Sequence, residues 1–255
     1  MNKKKKVKMM HIDLQPYPTG QPNREQAERV VVVIDVLRAT STIVTALANG
    51  AAEVIPMSDA SEASLLARRL GEDQCLTGGE RGGLPIPGLN LGNSPLEYGA
   101  AVVKGKKVAL CTTNGTQAIR WAQPAKKVLI ASFLNLPAVV AQLQKENSDV
   151  LLLCSGRKGA LALEDMYCAG MIAHSLSTAL FGPGLALSDA TRLSLIAFTS
   201  VNAQDGLQTA LLKTDHGQYL CELGFQADVE YCSRVGIIDH VPVYTGGRII
   251  LPEAM

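Results

Sequence analysis

Three polar segments, each directly after an apolar run, hold the residue types that could do chemistry. They are Asp35-Val-Leu-Arg-Ala-Thr, Gly78-Gly-Glu-Arg-Gly-Gly and Cys111-Thr-Thr-Asn-Gly-Thr. Between them they offer the carboxylates of Asp35 and Glu80, the guanidinium groups of Arg38 and Arg81, and backbone N–H groups around Thr113, Asn114 and Gly115. That mixture suits a phosphorylated or otherwise acidic small molecule held together with a divalent metal. In open α/β sheets ligands bind beyond the carboxyl ends of the strands, so loops in such positions can converge on one site.

Each segment also has a plainer reading. Asp35 ends the run Val30-Val-Val-Val-Ile, and a carboxylate there must be paired, hydrogen-bonded or metal-bound, because an isolated buried charge is very costly. Arg38 is near enough to be its partner, and a structural Asp–Arg pair capping the next helix fits as well as a catalytic one. Glu80 and Arg81 stand between two Gly-Gly pairs, where glycine lets backbone approach a ligand closely. A surface loop with solvated charges is the alternative. The same loop supplies Asn93, which with Ser94 equally suits a helix N-cap. Thr112-Thr-Asn-Gly-Thr opens a helix whose first N–H groups favour anions, or is a simple Asn-Gly turn; no P-loop pattern is present. A fourth loop, Cys154-Ser-Gly-Arg-Lys-Gly, brings Arg157, and Glu164-Asp165 follow it. Those acids suit a hard cation such as Mg²⁺, or simply the first turn of the next helix.

Cys75-Leu-Thr-Gly-Gly-Glu-Arg81 fits the C-x5-R spacing of thiolate phosphatases, in which an activated cysteine attacks a phosphate cradled by arginine. No Ser or Thr follows Arg81 and no His precedes Cys75, so this chemistry is set aside. Aspartyl-phosphate chemistry of the haloacid dehalogenase type is set aside too, since Asp35-Val-Leu lacks a second Asp two residues on.

The elements that must position these groups alternate. Val30–Val36, Glu53–Met57, Gln74–Thr77, Lys107–Cys111, Lys127–Ser132 and Val150–Ser155 read as strands. Helices are expected over Thr40–Asn49, stopped by Gly50, over Leu65–Leu70, introduced by Asp59 and Glu62 as a capping box, from Thr116 to Trp121, and over Leu136–Lys145. A long Gly- and Pro-rich loop is expected from Gly78 to Pro95, and loops of that length are usually functional. Past residue 160 the pattern turns helical (Met166–Leu180, Ser188–Ser200, Ala203–Leu212), with short strands near Val241–Tyr244 and Arg248–Leu251. The expected class is α/β, layered α/β/α, with a largely parallel or mixed sheet and a helix-rich C-terminal half.

With 255 residues, 47% of them hydrophobic, the chain can bury one large core or two intimate lobes. Residues 1–10, with Lys3–Lys6 and Lys8, read as a basic solvated tail, and 11–255 as one domain. A net charge of +1 gives no signal for nucleic acid. No apolar stretch suits a signal peptide or a membrane span. The six cysteines form no C-x-x-C pair, which points to reduced thiols in a cytoplasmic protein. A homodimer is the default assembly.

Taken together the segments closely resemble the 2-phosphosulfolactate phosphatase (ComB) family. The residues that carry the resemblance are Asp35-Val-Leu-Arg-Ala-Thr-Ser-Thr-Ile, Gly79-Glu-Arg-Gly-Gly, Leu91-Gly-Asn-Ser-Pro-Leu-Glu-Tyr, Thr112-Thr-Asn-Gly-Thr and Leu163-Glu-Asp-Met-Tyr-Cys-Ala-Gly. Asp215-His-Gly and Asp239-His-Val-Pro-Val are weaker echoes, and the likeness spans nearly the full chain. It implies an α/β, Mg²⁺-dependent acid phosphatase that converts (R)-2-phospho-3-sulfolactate to 3-sulfolactate in coenzyme M biosynthesis. Two departures stand out: Ser155-Gly-Arg-Lys-Gly adds cations to a stretch that is short and polar in relatives, and Asp215-His-Gly replaces their Ser-His-Gly.

The expected site therefore has Asp35, Arg38, Glu80 and Arg81 as catalytic groups. Asn93, Thr113, Asn114, Gly115 and Arg157 are the expected substrate contacts. Mg²⁺ is expected on Asp35 and an acid from Glu80, Glu164 or Asp165. A non-catalytic sensor of a phosphorylated or sulfonated metabolite is the rival reading; it would keep the arginines and N–H donors but need no metal carboxylates.

Overall fold

The structure is a computed structural model that describes residues 9–22, 24–146, 148–179, 184–204 and 206–252. The Lys3–Lys6 and Lys8 run and Leu180, the expected end of one helix, lie outside the described residues.

Apolar runs without polar alternation form strands buried on both faces, and the chain is built around them. It opens with β1 (Met10–Gln15), α1 (Arg24–Ala27), β2 (Val30–Ile34), α2 (Ala39–Ala48), β3 (Glu53–Met57) and α3 (Ala60–Leu70). The hairpin β4 (Cys75–Arg81) and β5 (Leu84–Pro85) follows, then α4 (Ala100–Val103), β6 (Lys107–Cys111) and α5 (Gly115–Trp121). Next come β7 (Lys127–Ala131), α6 (Leu136–Glu146), β8 (Val150–Cys154), α7 (Leu163–Ala179) and β9 (Leu185–Leu187). Four helices close the helical part: α8 (Asp189–Gln204), α9 (Leu207–Lys213), α10 (Asp215–Glu222) and α11 (Gln226–Cys232). The hairpin β10 (Val243–Thr245) and β11 (Arg248–Ile250) comes last.

The described strands form one mixed sheet in the order β5-β4-β6-β3-β11-β10-β7-β2-β8-β1-β9. It has two parallel blocks, β4-β6-β3 and β7-β2-β8-β1-β9. The C-terminal hairpin is antiparallel to both and joins them. Glu53 of β3 secures the join by pairing with Lys107 of β6 at 2.8 Å and Arg248 of β11 at 3.0 Å. Strand periodicity divides the core in two. Val31 and Val33 of β2 pack with Ile43, Val44 and Leu47 of α2 and Ile119 of α5. Val30, Val32 and Ile34 pack toward Leu136 and Val139 of α6 and Met166 and Ile172 of α7. On that second face α3 covers the smaller block through Ala63 and Ala67, against Cys75 and Ala109. The class is the expected α/β with a mixed sheet.

Two local expectations are corrected. Glu80 and Arg81 are not in a loop, because β4 continues to Arg81 and turns through Gly82-Gly83 into β5. Both turn glycines have positive φ, +59° and +81°, as a two-residue hairpin turn requires. Gly79 lets β4 lie against β6, since a Cβ there would stand 2.0 Å from the Cys111 carbonyl oxygen. The sheet also begins at Met10, inside the segment expected to be tail, because β1 fits between β8 and β9.

Candidate active site

Asp35 sits between β2 and α2. Its backbone is held by Thr40, whose N–H and hydroxyl both donate to the Asp35 carbonyl, at 2.9 and 2.8 Å. Among the described residues no backbone donor meets its carboxylate, which lines a pocket. The start of α5 abuts it: a Cβ on Gly115 would lie 2.7 Å from Asp35 Oδ2 and 2.6 Å from the Ala39 Cβ. Only glycine fits there, so the Asn114-Gly115 turn packs against the acid. Burial pushes Asp35 up to about 6; His216 and the Ser155 hydroxyl pull it down, and Glu80 and Glu164 push it further up.

Glu80 ties two neighbouring loops. Its Oε1 accepts the Thr113 N–H at 2.7 Å and its Oε2 accepts the Gly83 N–H at 2.8 Å. Asn93 lines the same pocket, and its buried Oδ1 has no hydrogen-bond partner among the described residues. Glu164 accepts a bond from His216 Nδ1 at 2.8 Å, or donates to it, according to tautomer and protonation. Asp165 is deeper: Oδ1 accepts the Val36 N–H, and Oδ2 accepts Ser155 Oγ–H and the Gly156 N–H. Burial, with Asp35 and Glu164 close by, drives it well above the usual carboxylate range. Asp165 thus braces the starts of two loops and does not line the pocket.

Two arginines are placed differently from expectation. The Asp35–Arg38 pair does not form. Arg38 Nη1 donates to Asp228 Oδ2 at 2.6 Å, Nη2 donates to the Gly83 carbonyl at 2.6 Å, and the guanidinium lies 4.3 Å over the Phe225 ring. It borders the pocket with both terminal nitrogens occupied. Strand alternation turns Arg81 away from Glu80, into a separate groove with Ser58, Arg120 and Trp121, where Nη2 reaches Cys111 Sγ at 3.5 Å.

The pocket unites Asp35, Arg38, Glu80, Asn93, Thr113, Asn114 and Arg157 of the expected residues. It adds Lys158, His216, Tyr219 and the Gly82-Gly83 turn. In the sequence His216 belongs to a weak echo with no assigned role and Tyr219 carries no signal, because both are brought in by α10 from far along the chain. The cavity is about 90 Å³, room for a compact ligand of a few carbons. Among the described residues no three His, Cys, Asp or Glu side chains converge as a closed metal cluster. The donors nonetheless suit Mg²⁺, which takes one or two carboxylates and keeps waters. Asp35 has a carboxylate without a backbone donor, and the orphaned Asn93 amide oxygen is a hard neutral ligand.

The C-x5-R reading fails on geometry. Cys75 and Arg81 lie at opposite ends of β4, six residues apart along an extended strand, or about 20 Å. Burial also raises the Cys75 thiol above its ordinary range. Cys75→Ser is expected to keep kcat within about twofold; a trapped phosphocysteine, or a folded but inactive protein, would revive thiolate chemistry.

The fold and pocket define an α/β protein with a small polar site that gathers the acids Asp35 and Glu80 with Arg38, Arg157 and Lys158. The profile of the 2-phosphosulpholactate phosphatase family matches residues 17–247. A probable 2-phosphosulfolactate phosphatase of Symbiobacterium thermophilum is 44% identical over 233 residues, covering 91% of this chain and 98% of that protein. Those of Carboxydothermus hydrogenoformans and Pseudothermotoga lettingae are 42% and 40% identical, over 96% and 95% of this chain and 98% of each relative. The chain belongs to the 2-phosphosulfolactate phosphatase family. No helix among the described residues is long and apolar enough to cross a membrane.

Proposed function

We propose that this enzyme hydrolyses (R)-2-phospho-3-sulfolactate to 3-sulfolactate and phosphate, with Mg²⁺, in the reducing cytoplasm that suits its six free thiols. The observation that carries the reading is one pocket lined by Asp35, whose carboxylate meets no backbone donor among the described residues, by Asn93, whose buried amide oxygen has no partner among them, and by the cations Arg157 and Lys158. Asp35 and Asn93 would hold the metal, with Glu80 beside them. Mg²⁺ would supply charge neutralisation at the phosphoryl oxygens and a bound water.

The chain's own residues do the rest. Glu80 holds the Thr113 and Gly83 N–H groups and so fixes both walls. The Asn114 side of the α5 start faces the phosphoryl group, where N–H donors offset developing charge. Arg157 and Lys158 receive the sulfonate or carboxylate. Water forms the new P–O bond, the bond between phosphorus and the ester oxygen breaks, the water's protons leave with the released phosphate, and the leaving alkoxide takes a proton. His216 can supply it: Glu164 holds Nδ1 and leaves Nε2 to exchange the proton.

The test is phosphate release from 2-phospho-3-sulfolactate with Mg²⁺ and with excess chelator. Release that needs Mg²⁺ is expected. Tight binding of the ester without release would make the protein a sensor, and release unaffected by chelator would remove the metal from the scheme.

A further inference from the structure

Tyr219 is the residue on which the rim of the pocket converges, and nothing in the catalytic chemistry requires it. It stands one turn after His216 on α10, so the two side chains share a face of that helix. Its hydroxyl donates to the Gly82 carbonyl at 2.8 Å, which ties α10 to the β4–β5 turn. Its ring lies 4.6 Å from Arg157 Cζ, which ties α10 to the loop after β8. Beside it Gly83 has no space for a side chain, since a Cβ there would meet Leu223 Cδ1 at 2.9 Å and Tyr219 Cε1 at 3.2 Å. Three chain segments therefore close on one phenol ring.

The loop that Tyr219 supports is shaped to present cations. Arg157 and Ala160 exchange both backbone bonds, 2.9 and 3.0 Å, in a tight turn. Gly156 and Gly159 take the positive φ that such a turn needs, and Lys158 takes it too, at +52°. Lysine is a poor choice for that backbone unless its side chain is used, and Lys158 lines the pocket. Among the described residues neither Arg157 nor Lys158 has a carboxylate within ion-pairing distance. Arg38, by contrast, is neutralised by Asp228. A guanidinium stacked on a phenol ring keeps its N–H edge free for an anion.

We infer that Tyr219 is a positioning residue that sets Arg157, with Lys158 beside it, as the subsite for the substrate's second anionic group, a sulfonate or carboxylate near the phosphoester. Tyr219 thereby fixes specificity and not the chemical step. The inference rests on the phosphomonoesterase reading above, and its test keeps the two apart. Three esters are compared at saturating Mg²⁺: 2-phospho-3-sulfolactate, 2-phospholactate and an uncharged alkyl phosphate. Tyr219→Leu removes both the ring and the hydroxyl; Tyr219→Phe keeps the ring under Arg157; Lys158→Gly keeps the turn without the ammonium.

Charge-assisted bonds to a second anion are each worth about 10- to 100-fold in specificity. Tyr219→Leu is therefore expected to cost about tenfold or more in kcat/KM for the sulfonated ester, mainly through KM, and distinctly less for the alkyl phosphate. Tyr219→Phe should restore most of the discrimination, and Lys158→Gly should narrow it. An equal loss for all three esters, or a preference unchanged in Tyr219→Leu, overturns the inference. If the wild type releases phosphate from none of them, the phosphomonoesterase reading falls instead. Calorimetric binding of 3-sulfolactate then decides the subsite: weaker binding in Tyr219→Leu supports it, and equal binding removes it.

Discussion

Asp35→Asn is expected to fold, to lose about 10²- to 10³-fold in kcat and, in the absence of divalent cations, to be more stable than the wild type above pH 6. The activity loss follows from removing a pocket carboxylate that no backbone donor satisfies among the described residues. The stability gain follows from its raised pKa. Burial moves Asp35 from an ordinary 3.8 to about 6, so between those values the folded protein holds a proton that the unfolded chain has released. Stability therefore falls as pH rises through about 4 to 6 and stays low above it. A side chain that cannot ionise avoids that loss, which is on the order of 3 kcal/mol. Urea unfolding at pH 4 and pH 7.5, with chelator, should show near-equal stabilities at the lower pH and a more stable Asp35→Asn at the higher. Mg²⁺ that binds only the folded protein should stabilise the wild type and narrow the gap. Near wild-type turnover in Asp35→Asn would make Asp35 structural.

Asp228→Ala is expected to destabilise the fold by about 3–5 kcal/mol, because it leaves the Arg38 guanidinium buried and unpaired. The two side chains are 2% and 4% exposed at 2.6 Å, and Asp228 also accepts Ser94 Oγ–H at 2.6 Å. For a domain of this size the loss corresponds to a Tm lower by roughly 6 to 20 °C. Activity should fall as well, since Arg38 Nη2 holds the Gly83 carbonyl and with it the turn whose N–H meets Glu80. Denaturant unfolding and phosphate release on the same preparation check both. A change below about 1 kcal/mol would mean that Arg38 moves freely and can take the substrate-binding role its sequence position suggests.

The family segments and most of the strand–helix order were legible because they depend on local properties. Short β-branched or leucine runs such as Val30–Ile34 and Val150–Cys154 read as strands buried on both faces, as they are, and Asp59 with Glu62 marks a helix start that the structure keeps, with Asp59 Oδ1 accepting the Glu62 N–H at 2.9 Å. Asp35, Glu80, Asn93, Asn114 and Arg157 stood out because polar groups directly after or among such runs need a partner or a use. Arg38 and Arg81 show where this reasoning stops. Three residues from Asp35, Arg38 pairs instead with Asp228, 190 positions away, and one residue from Glu80, strand alternation sends Arg81 to the opposite side. His216 and Tyr219 entered only through α10, and Asp165 proved to be a brace because three donors from two loops surround it. The sequence by itself determined which residues are chemically able, since that depends on side-chain type and local burial. Only the tertiary structure decided which of them meet, because buried charges are neutralised by whatever partner the packing brings within about 3 Å, and distance along the chain does not enter that choice.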